Sequence, residues 1–406
     1  MGLGFPGRCT VERAAVSRGR TPLPSSIVRA VQAEGGRVTF ARFMQLALID
    51  PESGYYSRAE RVLGEGGDFT TAPRKVPAFS RAVARLLADI VEAADRPVLV
   101  VEVGAGEGDL AAGVLGQWAE MWPHLRRRAG YRLLDVAEGL RRRQRKAVEP
   151  FRARGWDVST ATLAQTAGET RCGRGDYVVV LSNELLDALP VHVVDVAGVA
   201  PREAWVHLSP AAGGGWHAVE TFAELSSAGL AEMLCLFGTR DAAKLRPLSR
   251  DGRLELRPAV GDLLGEWVRA FPEVCVVTFD YGEWLPGNEE DDVGNARRAR
   301  HGETRRGYYR HQPTKDPFRL VGRQDLTADV DFRALDVHGR ALGLETVVFT
   351  PLATFLRAGG GSDELARLAR EAQRSLEADA AHAVLATLLD EDGLGGSFKL
   401  MMQVTR

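Results

Sequence analysis

Apolar positions along the chain follow two periods. Ile27, Val28 and Val31, then Phe40, Phe43, Met44, Leu46, Ala47 and Leu48, recur at helical spacing over residues 25–50, and Pro51 ends the run. A second amphipathic helix is predicted over 77–94. Between them, residues 51–73 (PESGYYSRAERVLGEGGDFTTAP) read as a Gly-rich loop bearing aromatics. Residues 98–103 (VLVVEV) form a short continuous apolar run, the pattern of a central parallel strand buried on both faces. Further strands are predicted at 131–136, 176–181, 273–279, 344–350 and 397–404. Helical patterns lie between several of them, including a basic helix over 137–151 and a long helix over 362–389. Strands alternating with helices predict an α/β fold with a mostly parallel sheet and right-handed crossovers.

The connections are uneven. About 90 residues separate the third and fourth of these strands, and they hold strand-like pieces at 191–196 and 205–208. The expected organisation is an N-terminal extension (1–24, poorly ordered), an N-terminal helical cap (25–95) and an α/β domain (96–406) with an internal insertion at 191–258. The polar segment 283–323 is too long for a simple connection and is expected to act as a lid. Its part 288–300 is expected to be weakly packed, and Tyr308, Tyr309 and Phe318 are expected to dock it.

Composition narrows the function classes. The chain has 406 residues, and 45% hydrophobic with 26% charged residues is enough apolar material for a large core. No apolar run approaches the ~20 residues that span a bilayer, so no membrane insertion is expected. Lys+Arg (52) nearly balances Asp+Glu (54), which gives no argument for a nucleic-acid partner. Cys9, Cys172, Cys235 and Cys275 form no CxxC pair; neither a metal site nor a disulfide framework is expected, and a reducing, cytoplasmic setting fits. The Arg-rich start (Arg8, Arg13, Arg18, Arg20) looks only mildly like a transit peptide.

The run into Gly104-Ala105-Gly106-Glu107-Gly108 and then a helix is a nucleotide-type turn, because glycines let ligand atoms approach the backbone. Glu102 precedes it. Asp135, near the end of the next strand, is placed to accept both hydroxyls of a ribose. Position 109 is Asp where a dinucleotide fingerprint has its third glycine. An acid there repels a pyrophosphate but not a sulfonium, which favours S-adenosylmethionine over NAD. The run Ser182-Asn183-Glu184-Leu185-Leu186-Asp187-Ala188-Leu189-Pro190 follows a strand at its carboxyl end, where open α/β sheets hold ligands. Asn183, Glu184 and Asp187 are candidates there, either for an acceptor or as helix caps. Asp280, in Asp280-Tyr281-Gly282, leaves the same edge and either orients substrate or caps a turn. His192 and His311 are lone histidines, usable as general bases for a hydroxyl or amine acceptor.

Together these segments resemble the MidA-like methyltransferases, the family that includes the mitochondrial complex I assembly factor 7. The resemblance rests on FMQLALIDPESGYY (43–56), GDFTTAP (67–73), VEVGAGEGDL (101–110), LDVAEGLRRRQ (134–144), NELLDALPV (183–191), DYG (280–282), DLTADVDFRAL (325–335) and FKLMMQ (398–403). It implies a class I methyltransferase (Rossmann-like) fold and S-adenosyl-L-methionine as donor. It further implies that the loop with Thr71 and Pro73 lies over the cofactor and that Asn183 and Glu184 sit beside the transferred methyl. The mitochondrial member is associated with arginine dimethylation on a protein, so a protein arginine is the implied acceptor. A small-molecule O- or N-acceptor and a non-catalytic assembly role stay open. The chain departs from the family at Pro73-Arg74-Lys75-Val76, at Thr350-Pro351 and at Glu283 after the DYG run.

Overall fold

The computed structural model describes residues 20–57, 77–169, 176–237, 239–285, 302–310, 312–372 and 376–406. Its centre is a seven-stranded sheet: β1 (Val98–Val103), β2 (Ala129–Leu134), β3 (Asp157–Ala161), β4 (Tyr177–Asn183), β5 (Val274–Glu283), β6 (Leu344–Pro351) and β7 (Phe398–Thr405). The order across the sheet is β3-β2-β1-β4-β5-β7-β6. Strands β1 to β5 pair in parallel, and β7 runs antiparallel between β5 and β6. The short strand Val330–Asp331 joins the far end of β5. β1 and β2 bury nearly every residue, as strands covered by helices on both faces must.

On one face lie the helices Pro77–Ala93 and Asp109–Met121, whose Phe79, Val83, Leu87 and Trp118 pack on Val100, Val179 and Phe279. Trp118 also donates from Nε1 to the carbonyl of Ala84, 2.9 Å away, which ties the two helices together. On the other face, Leu264 and Trp267 of helix Pro258–Ala270 and Phe332 and Leu335 of helix Phe332–Ala341 cover Val101, Val180 and Val276.

A second layer explains the long connections. Residues 37–39, expected inside a helical run, form strand Arg37–Thr39 after Gly35 and Gly36 break the helix Ser25–Ala33 with φ of +88° and +84°. That strand pairs antiparallel with Arg202–Pro210, which also pairs with His192–Asp195 and Trp216–Ala223; Arg253–Leu256 completes the sheet. The first part of the expected cap and the insertion therefore share one sheet and one apolar core. Helix Pro77–Ala93 belongs to the central core instead. Phe318 is 5% exposed and joins the N-terminal core, with ring centroids 6.0 Å from Phe40 and 5.2 Å from Phe43. Arg305 lies 4.4 Å over the Phe40 ring and pairs with Glu220 at 2.6 Å. The strand pair Arg306–Tyr309 and Gln312–Thr314, with Asp325–Thr327, thus walls the sheet edge. Residues 286–301 lie outside the described residues.

Candidate functional site

The strand order reverses between β1 and β4, and the loops that leave these two strands meet there. This is where open α/β sheets form a ligand crevice. Gly104, Gly106 and Gly108 take φ of +69°, +55° and +89°, a region that costs other L-residues strain. A Cβ at Gly104 would come within 2.8 Å of Leu185 Cδ1, so this glycine also lets the second loop close in. Gly108 is the N-cap of helix Asp109–Met121 and supplies no side-chain acceptor to its first turn.

Glu102 is 3% exposed and accepts a 2.6 Å hydrogen bond from Tyr131 Oη. Burial pushes its carboxyl up to about 8; the Tyr131 hydroxyl opposes this, and the negative charges of Asp109 and Asp135 add to it. Asp135 lies just beyond β2. Burial raises its carboxyl above the usual range, and the N–H groups of Ala137 (3.1 Å), Val136 and Gly106 pull it back. Gln144 joins the two sides of the turn: Nε2 donates to the Gly106 carbonyl at 2.9 Å and reaches Asp135 Oδ2 at 3.4 Å. Its Oε1 is buried and finds no hydrogen-bond partner among the described residues. Val136 beside Asp135 is 79% exposed, an apolar surface next to a carboxylate. A nucleoside fits this set: an acid for its hydroxyls, an apolar face for its base and left-handed glycines for close approach. Glu102, Gly104, Ala105, Gly106 and Asp135 are brought together here. Thr71 and Pro73 lie outside the described residues.

At the end of β4, Glu184 takes φ of +51°, unusual for a residue with a side chain, and its N–H is held by the Phe279 carbonyl at 2.9 Å. Asn183 Nδ2 donates to Glu184 Oε1 at 3.3 Å, and Asn183 Oδ1 is buried with no hydrogen-bond partner among the described residues. Asp280, 0% exposed, spends both oxygens on backbone. Oδ2 accepts from the N–H of Leu186 (2.8 Å) and Asp187 (3.3 Å), and Oδ1 from Tyr281 (2.8 Å). Burial and the neighbouring Asp187 raise it well above the carboxylate range. Gly282 must be glycine, since a Cβ would lie 2.0 Å from the Val330 carbonyl oxygen.

Asp187 is buried, and its carboxyl is pushed up to about 6 by that burial, with Arg257 and Arg306 opposing. It lines a pocket of ≈420 Å³ with Tyr281, Glu283, Arg306, Tyr308, Thr327 and Asp329, among others. Arg306 bonds Asp329 at 2.6 Å and the Tyr308 hydroxyl at 2.8 Å. Buried Arg257 props the loop from below by donating to the carbonyls of Leu189, Ala328 and Asp329. Sequence reasoning missed Arg257, Tyr308 and Asp329 as site residues. Asp329 lies inside the DLTADVDFRAL run, which carried the available signal. His192 is held by Glu203 at 2.6 Å and lines neither this pocket nor the larger cavity described below. His311 lies outside the described residues.

A family model described as "Putative S-adenosyl-L-methionine-dependent methyltransferase" matches residues 82–350, more than half of the chain. The chain belongs to this methyltransferase family. Its fold is the α/β class expected from the sequence, and S-adenosyl-L-methionine is the family's cofactor. A COG1565 superfamily member from Burkholderia thailandensis, bound to S-adenosyl-homocysteine, superposes with a TM-score of 0.71 at 26% identity, covering 95% of this chain and 94% of that one. Among curated proteins, the methyltransferase is similar to "Protein arginine methyltransferase NDUFAF7, mitochondrial" of Mus musculus, 25% identical over 348 residues that cover 81% of this chain and 72% of the relative. The Drosophila melanogaster homolog is 26% identical over 339 residues, 75% and 67% of the two chains. These relatives are described as mitochondrial, which overturns the cytoplasmic placement expected from the cysteine pattern. That pattern reports a reducing setting and carries no address.

Proposed function

We propose that this methyltransferase alkylates the guanidinium of a protein arginine. The observation that carries the reading is the ≈420 Å³ pocket at the carboxyl end of β5, where Asp187 and the ion-paired Glu283 (to Lys399) and Asp329 (to Arg306) meet Tyr281 and Tyr308. Carboxylates beside aromatic walls suit a flat cation: the acids take its N–H groups in charge-assisted bonds and the rings face its plane. The names of the curated relatives support the same acceptor.

The donor, when bound, supplies a methyl group already activated on a sulfonium. The chain's own work is then alignment and charge. In this reading Gly104–Gly106 would hold the methionine part of the donor and Asp135 would hold its ribose. Asn183 and Glu184 stand between the two ligands: Asn183 offers Oδ1 to an N–H, and Glu184 turns one guanidinium nitrogen toward the methyl. The nitrogen that gains the methyl sheds a proton. Asp187, poised near 6, holds that proton on its carboxylate before solvent takes it. Asp280 acts one step back, fixing the loop's backbone.

Peptides that differ only at the target position test the acceptor. Arginine should be methylated, while citrulline, of the same shape but neutral, and lysine should fall at least tenfold in kcat/KM, about 1.4 kcal/mol. Equal rates on citrulline would remove the role of the carboxylates.

A further inference from the structure

A cavity of ≈450 Å³ lies between the central domain and the insertion layer. It is larger than the acceptor pocket and adjoins it: Glu283 and Asp329 line both. The remaining walls differ in character from the acceptor pocket. Val191, Leu256, Val260 and Leu335 are buried apolar residues, and Met233 and Phe237 of the insertion face them. The walls also carry Arg250, Glu255, Arg257, Glu283, Asp329 and Asp331, several of them held by protein partners. Glu283 pairs with Lys399, Asp329 with Arg306, and Glu255 holds Thr304; Arg257 is spent on carbonyls. His338 packs against Gly261, whose Cβ would approach its Nδ1 to 2.8 Å, and His338 Nε2 is buried with no hydrogen-bond partner among the described residues. The volume falls within the range of about 300–1,000 Å³ typical of ligand sites, more than one side chain needs.

We propose that this cavity is a specificity subsite that takes a large apolar side chain of the acceptor polypeptide, together with adjacent backbone, one to three residues from the target arginine. The proposal rests on the arginine reading of the neighbouring pocket. The two pockets lie on either side of Glu283 and Asp329, and an extended peptide advances roughly 3.3 Å per residue, so a neighbour of the target comes within reach of the cavity while the arginine stays in its own pocket. The apolar walls favour Leu, Met or Phe over Gly or Asp at that position. Two insertion residues, Met233 and Phe237, help form the cavity, which gives the insertion layer a recognition role.

The test uses the full chain with S-adenosylmethionine and a peptide library with one fixed arginine and varied flanks. The wild type should favour one flanking position carrying Leu, Met or Phe over Gly by at least tenfold in kcat/KM. Ala334→Phe, which fills the cavity from helix Phe332–Ala341, should erase that preference while leaving the rate on Gly-flanked peptides and the cofactor affinity unchanged. Met233→Ala, which enlarges the cavity, should shift the preference toward Trp, and it serves if the filled variant folds poorly. Methylation without flanking preference, or an unchanged preference in a folded Ala334→Phe, overturns the subsite. Absence of arginine methylation by the wild type on every peptide overturns the arginine reading instead.

Discussion

Glu102 offers the sharpest physical test, because it is a buried acid whose described hydrogen-bond partner is a neutral hydroxyl. Burial lifts its carboxyl from an ordinary value of 4.5 to about 8. Between these two values the folded chain holds a proton that the unfolded chain releases, so raising the pH favours unfolding. Below about 4.5 both states are protonated and nothing is lost; the loss grows through the window and is complete above about 8. Each pH unit in the window costs about 1.4 kcal/mol, or roughly 5 kcal/mol across it. Glu102→Gln keeps the shape and an acceptor for Tyr131 but cannot ionise. Urea unfolding of the ligand-free protein should give stabilities within about 1 kcal/mol of each other at pH 5. At pH 8 the variant should be more stable by about 4 kcal/mol, since other titrating groups, Asp187 among them, cancel in the difference. A difference that does not move with pH would mean that Glu102 ionises normally, and the account of its environment would be wrong.

Three further outcomes follow from the site. Gly106→Val puts a branched side chain at a φ of +55° in the turn, and calorimetry should find S-adenosylmethionine binding abolished; unchanged affinity would displace the cofactor from this loop. Glu184→Gln should lower turnover at least tenfold, about 1.4 kcal/mol, with cofactor affinity nearly unchanged, and equal losses in both would reassign Glu184 to the cofactor. Asp187 is ionised above about 6, so kcat should climb as the pH rises through that value and level off above it. Asp187→Asn should show a low, flat profile, and a wild-type slope retained in the variant would exclude Asp187 as the group responsible.

Much of the sheet was legible because its strands are buried on both faces and write themselves as apolar runs such as VLVVEV. The glycine turn was legible because positive φ demands glycine. β3 was not: Asp157-Val158-Ser159-Thr160-Ala161 sits at the sheet edge, with only two buried residues and no apolar run. Strand Arg37–Thr39 was hidden between two helical patterns, and its pairing with residue Val206 and neighbours is a contact far along the chain that no local period encodes. In the candidate site, chain order pointed to Glu102, Asp135 and the Asn183–Asp187 loop because each lies at or just past the carboxyl end of a parallel strand. It could not give Arg257, Arg306 or Tyr308, whose roles come from folding the insertion and the segment after β5 back over the sheet edge. Asp280 illustrates the limit well. A carboxylate after a strand reads as a ligand contact, and only its three backbone hydrogen bonds and full burial make it a brace for the neighbouring loop.

The central claim is that the methyl group ends on an arginine nitrogen of a protein. Incubating the purified protein with methyl-labelled S-adenosylmethionine and a lysate of its source, followed by acid hydrolysis and amino-acid analysis, tests it directly. Label should enter protein, be released as methylated arginine, and accumulate at least tenfold more slowly with Glu184→Gln. Label confined to small molecules, or protein label released as another methylated residue, would contradict it.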